Sequence, residues 1–324
     1  MTTPGTRYLV AWGGDKRSED ALKLGAVLAR TFEAKLDIVY VVFQQTNGFT
    51  VTAGDRTFEQ EVGREAAGWL KMAAKSVGEG VEVETHVVYG ESITQGILAA
   101  AEQLGSQAIV IGAGSGAGQP VATNAIVGGL LHSSPVPIAM APRNYRKVKF
   151  DSLSSLSAAI GPRPGAHQVA IEAADAIKRV GLPLQLISLV SLKQDKQFHV
   201  DGFDEAERVL ADAAKRVGDR AEVTTVVGQG RSLKQAVKKI DWDERTALCV
   251  GSSRLAQNRR TFLGSAATRM LSSLPVPPPQ DSSHRRKHHG GSDPTVSSMR
   301  DTPSTSMHTR EASDPLGSGS TGAS

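Results

Sequence analysis

The 324-residue chain has a single cysteine, Cys249, and only 5% aromatic residues. One cysteine forms no internal disulfide, which excludes a disulfide-stapled scaffold. It falls inside the apolar run Ala247-Leu248-Cys249-Val250, so a core position and a reducing, cytoplasmic setting are expected. Apolar runs of roughly eighteen residues are missing, and the opening MTTPGTRYLV lacks a basic region leading into a long apolar stretch. Neither a membrane span nor a secretory leader is expected. Charge of one sign is also scarce: 37 Lys and Arg stand against 33 Asp and Glu, a formal +4. An excess that small and diffuse excludes a dedicated nucleic-acid surface. Catalytic patterns are lacking too. No nucleophile–base or paired-acid arrangement stands out, and His86, His132, His167 and His199 are isolated, without metal-ligand spacing. A non-enzyme with no metal centre is expected; the basic cluster HRRKHH at 284–289 reads as a solvated segment.

What the chain does have is a regular alternation of strand and helix patterns. Residues 8–12 form an apolar strand stopped by Gly13 and Gly14, and Ser18 is placed to cap a helix through Ala21, Leu22, Gly25, Leu28 and Ala29. The run LDIVYVVF at 36–43 is apolar almost throughout, as a central parallel strand must be when both its faces are covered. A polar stretch at 44–55 leads to a helix with Val62, Ala66, Leu70 and Ala73 on one face. Residues 81–89 alternate Val with Glu, which suits a strand nearer an edge. Gly90 and Ser92 then open a helix through Ile97 and Leu104, 108–111 is a buried strand closed by Gly112, and GAGSGAGQP precedes a helix over 121–132. Residues 135–140 make the last strand. Alternation with short connections predicts a parallel sheet with helices on both faces.

The pattern then begins again: strand 153–160, helix 166–180, strand 182–192, helix 203–217, strand 222–227. Gly230-Arg231-Ser232 echoes Gly90-Glu91-Ser92, residues 246–250 echo 107–111, and Leu274-Pro275-Val276-Pro277 echoes Ser134-Pro135-Val136-Pro137. This predicts an α/β fold of two tandem, doubly wound parallel sheets, in domains 1–146 and 147–277 joined by a basic linker at Arg146, Lys147 and Lys149. After Pro277 the prolines cannot enter a sheet interior, so the second domain is expected to lack its last strand. Residues 278–324, rich in Ser, Gly, Pro and His, read as a disordered tail.

The stretch around 247–277 carries the chemistry. A strand ends at Gly251, a polar turn follows, and from Thr261 onward Ala266, Ala267, Met270, Leu271 and Leu274 recur at helical spacing. A helix opening on Gly264 and Ser265 would present unpaired N–H groups, which favour an anion. The order Gly251, two residues, Arg254, nine residues, Gly264-Ser265 resembles the nucleotide loop G-x2-G-x9-G-[ST] of the universal stress protein family, with Arg254 in place of one glycine. With the duplication and the proline pairs, both halves resemble tandem members of that family.

The resemblance implies a five-stranded parallel sheet in each half, order 3-2-1-4-5, and ATP at the carboxyl edge between the first and fourth strands. It implies phosphate contacts from Gly251, Gly264 and Ser265, with Arg254 either clamping phosphate or filling the pocket. The family aspartate after strand one falls on Gly13, with Asp15 close by. In the first half Gly112 and Gly114 of the glycine-rich loop are the candidates, and Asn124-Ala125 stand where Gly264-Ser265 stand. The resemblance also implies pairing through the fifth strand, within the chain or in a homodimer, at Val136, Ile138 and Met140. Two functions remain open: a non-catalytic stress-response regulator that binds an adenine nucleotide, or a nucleotide-free interaction module that kept the fold.

Overall fold

The structure, a computed structural model, describes residues 5–44, 53–113, 125–163, 165–191, 201–251, 253–254 and 261–262, with backbone alone at 53–58, 201, 253–254 and 261–262. In the first half, β1 (Arg7–Ala11), β2 (Lys35–Phe43), β3 (Val83–Gly90), β4 (Ala108–Gly112) and β5 (Ile138–Ala141) form an all-parallel sheet of order β3-β2-β1-β4-β5. The intervening helices are α1 (Lys16–Phe32), α2 (Ala53–Val77), α3 (Ile93–Gln103) and α4 (Ala125–Ser133). The alternating strand, for which an edge was expected, is the edge strand β3.

Period-two alternation sends β-strand side chains to opposite faces, and both faces here are apolar. Val10, Leu36 and Ile38 pack with Leu22, Leu70 and Ala73 on the α1/α2 side. Leu9, Val39 and Ile109 pack with Ile97, Ala101 and Leu130 on the α3/α4 side. Helix α1 lies so close to the sheet that a Cβ at Gly25 would sit 2.5 Å from Val10 Cγ2. The cap of α1 is Asp15 rather than the expected Ser18: its carboxylate accepts the Ser18 N–H, and Ser18 Oγ in turn accepts the Gly13 N–H at 2.8 Å. A carboxylate three residues ahead of a hydroxyl can satisfy more orphan donors than the hydroxyl alone.

The second half repeats the plan with β6 (Ser155–Ala159), α5 (His167–Ile177), β7 (Leu184–Ser191), α6 (Asp201–Val217), β8 (Val223–Gly230), α7 (Leu233–Lys238) and β9 (Thr246–Val250). Its sheet is parallel, of order β8-β7-β6-β9. Among the described residues no strand pairs with the outer edge of β9; 274–277 and the tail lie outside them. A separate antiparallel ribbon joins β10 (Ser253–Arg254) to β11 (Thr261–Phe262). Thr261 and Phe262, which precede the expected helix start at Gly264-Ser265, are strand because their backbone groups pair with 253–254.

Among the described residues the halves meet chiefly through α1, and α4 also lies against β11. Val27 and Phe32 of α1 belong to the core of the second half, with Leu153, Leu156, Ala174 and Ile177. Thr31 Oγ1 accepts the Leu153 N–H at 2.9 Å, Lys23 pairs with Asp151, and Arg179 bonds the Phe32 carbonyl. The expected contact residues Val136, Ile138 and Met140 instead pack against the Leu9 and Ile109 core of their own half. A helix with a second apolar stripe has more area to bury than a short edge strand. No helix among the described residues is long and apolar enough to cross a membrane.

Candidate functional site

The order of the first sheet places β2 and β4 on either side of β1, so consecutive crossovers leave in opposite directions and a crevice opens above their carboxyl ends. A cavity of about 280 Å³ lies there. Val39, Val41, Ile97, Ile111 and Val127 form an apolar floor with Ile93 at its exposed rim, and Gly13, Asp15, Arg17 and Ser18 form a polar mouth at the start of α1. A thin apolar slot beside a helix N-terminus accepts a planar base and an anionic group together.

The mouth is internally bonded. Asp15 accepts from Ser18 N–H at 2.9 Å, from Ser18 Oγ at 2.8 Å and from Arg17 Nε at 2.7 Å. Burial works against ionisation of this carboxyl, yet the bonds from Ser18 and Arg17 outweigh it and hold the pKa below the usual carboxylate range. Arg17 is 54% exposed beyond its bond to Asp15. The indole Nε1 of Trp12, a crevice residue, is buried with no hydrogen-bond partner among the described residues.

The sequence-designated residues separate. Gly112 lines the crevice at the end of β4, where a Cβ would press into the Arg17 carbonyl group, 2.7 Å from its carbon. Only glycine lets α1 and β4 approach this closely. Gly114, with the rest of the glycine-rich loop, lies outside the described residues, as do Gly264 and Ser265. Gly251 follows β9 and is exposed, and a Cβ there would meet Val169 Cγ2 at 2.6 Å. Arg254 is in the β10–β11 ribbon. Gly13 does lie at the mouth, and Asp15 is beside it. Cys249 is partly buried on β9, and burial, with Glu172 nearby, pushes its thiol up to about 11.

Reading the histidines as isolated was incorrect for His86. Asp37, with no exposed side-chain area, accepts Arg7 Nε at 2.9 Å and Arg7 Nη2 at 2.6 Å, and lies 2.9 Å from His86 Nε2. Arg7 also reaches Glu84 at 2.7 Å, and these bonds to Asp37 and Glu84 hold its guanidinium more firmly protonated. Asp37, Glu84 and His86 have the donor types of a metal site, but Arg7 already fills the cationic place among them. Sequence spacing does not reveal the group because β2 and β3 bring it together across 49 residues. The alternating Val-Glu-Thr-His of β3 was its one signal.

The chain is similar to known proteins in sequence and in structure. The profile described as Universal stress protein family matches residues 6–142. A universal stress protein of Mycobacterium tuberculosis is 25% identical over 284 residues, covering 83% of this chain and 97% of the relative, and one of Mycobacterium bovis matches to the same extent. Among solved structures, a universal stress protein of Archaeoglobus fulgidus is similar at TM-score 0.48 and 16% identity, covering 73% of this chain and 83% of that one. A universal stress protein family protein from Arabidopsis thaliana with AMP bound is similar at TM-score 0.31 and 15% identity, over 45% of this chain and 97% of its own. Residues 6–142, the first half of the chain, are thus similar to the universal stress protein family.

Proposed function

We propose that this protein is a non-catalytic stress-response regulator whose first half binds an adenine nucleotide. The observation carrying this reading is the crevice of about 280 Å³ at the carboxyl ends of β1 and β4, with an apolar floor for the base and a polar mouth at the start of α1. The base lies against Val39, Val41 and Ile97; the phosphate faces the α1 terminus and Arg17. ATP, ADP and AMP share these contacts and differ in how far they extend past the mouth. A homodimer through β5, whose outer edge pairs with no strand among the described residues, at Val136, Ile138 and Met140, completes the proposal. A nucleotide-free interaction module is the second reading, favoured by one observation: Gly13 carries no carboxylate, and Asp15 is committed to Arg17 and Ser18.

Thermal unfolding of the full chain with ATP, ADP and AMP tests it. Binding stabilises the folded state by about 2.7 kcal/mol at a hundredfold excess over Kd. A Cβ at Gly13 meets only Ser18 Oγ, at 3.5 Å, so Gly13→Asp fits. One added charge-assisted hydrogen bond, worth about 1.5–3 kcal/mol, should tighten binding tenfold or more. Ile93→Trp, at the exposed rim of the crevice, should abolish it. No shift with any nucleotide, in either the parent or Gly13→Asp, establishes the second reading.

A further inference from the structure

The face of the first sheet that carries Arg7, Asp37, Glu84 and His86 has a counterpart in the second half. In the first half Asp37 pairs across the sheet with Leu9 and Glu84. In the second, Gln185 pairs with Ser157 and Thr224 in the same way. Gln185 thus replaces the buried Asp37, Thr224 replaces Glu84, and Ser155, two residues before Ser157, replaces Arg7. In the first half the long charged side chains close over the sheet. With Arg7 and Glu84 replaced by the shorter, neutral Ser155 and Thr224, a cavity of about 150 Å³ remains at the amino ends of the strands, away from the nucleotide crevice.

The cavity is built from side chains held in place. Ser155 Oγ and Thr246 Oγ1 share a 2.5 Å hydrogen bond, and Ser157 Oγ, fully buried, donates to Gln185 Oε1 at 3.3 Å. That bond leaves the Gln185 amide N–H groups as donors. Trp242 forms a wall, its indole N–H fixed on the Val237 carbonyl at 2.8 Å. Asp243 accepts from Ser154 Oγ and from the Arg245 N–H, which hold its carboxyl below the usual range, so it is an anionic acceptor at neutral pH. Among the described residues no Lys or Arg side chain lines the cavity, while Asp241 and Asp243 do.

We infer that this cavity binds a small neutral polyol. A row of hydroxyls and one amide offers alternating donors and acceptors at strand spacing, as a chain or ring of hydroxyls requires. The Trp242 face suits the C–H side of such a molecule. The carboxylates repel phosphate esters, and the volume equals about five waters of liquid, room for a four- to six-carbon compound. A site for a neutral solute in one half and a nucleotide crevice in the other would give the duplicated chain two separate inputs.

The probes are myo-inositol, erythritol and myo-inositol 1-phosphate, titrated into the full chain and followed by tryptophan fluorescence and ligand-observed NMR. Saturable binding of myo-inositol or erythritol is expected, at least tenfold weaker in Thr224→Val, which changes an exposed residue, and lost in Gln185→Leu. Both variants should keep the parent far-ultraviolet dichroism, and Trp242→Phe should remove the fluorescence response. The inference is overturned by absence of saturable binding of either polyol, by unchanged affinity in Thr224→Val, or by the phosphate ester binding more tightly than inositol.

Discussion

Asp20 anchors the start of the linker between the two halves. It lies on α1 with a side chain only 3% exposed, and accepts the Asn144 N–H at 3.0 Å, the Arg146 N–H at 2.9 Å and Arg146 Nη1 at 2.9 Å. Asn144 holds the left-handed turn, φ 68°, that starts the linker, so the carboxylate fixes the point where the chain leaves the first half. Asp20→Ala strands two backbone donors, each costing about 1–3 kcal/mol where water cannot reach it. Arg146 keeps Glu19 at 3.3 Å and is 23% exposed, so its guanidinium adds little. The sum is about 2–6 kcal/mol, and at about 2 kcal/mol/M the urea midpoint should fall by about 1–3 M. Asp20→Asn, which retains one acceptor, should lose roughly half as much, and Arg146→Ala less again, since both backbone bonds survive. A midpoint shift below about 0.3 M for Asp20→Ala, measured by urea unfolding with an unchanged slope, would refute the reasoning.

Other consequences follow from the crevice and the second sheet. Gly112→Ala forces a methyl into the Arg17 backbone and should cost about 1–3 kcal/mol in denaturant unfolding, weakening nucleotide response at the same time. The Asp15 carboxyl titrates lower folded than its unfolded value of about 3.9, so its contribution is present above that pH and is lost as pH falls through the folded value. Asp15→Asn should therefore flatten part of the stability loss below about pH 4, with little change in slope at pH 7. With its thiol near 11, Cys249 should react with iodoacetamide at pH 8 roughly two orders of magnitude slower in the native protein than in urea. Equal rates would place the thiol in solvent.

The strand–helix alternation was legible in the sequence because buried parallel strands must be apolar on both faces, as LDIVYVVF is at β2. The echo of 107–111 in 246–250 likewise announced β4 and β9 at nearly the observed bounds. Gly112 could be selected as a closing glycine, but its cause, contact with the Arg17 backbone, depends on how α1 crosses β4. The motif around Arg254 could not reveal that Ser253 and Arg254 pair with Thr261 and Phe262 as a ribbon, because that contact joins residues apart in the chain; Gly264 and Ser265 lie outside the described residues.

By itself, then, the amino-acid sequence determined the layered α/β architecture, the duplication and the edge where a ligand would lie, since these follow from local periodicity and chain order. Tertiary structure alone decided that α1 is shared between two cores, that Asp20 secures the linker, and that Arg7, Asp37, Glu84 and His86 meet while their counterparts leave a cavity. Those features depend on contacts between residues tens of positions apart, set by strand register and helix crossing, and no periodicity in the chain records them.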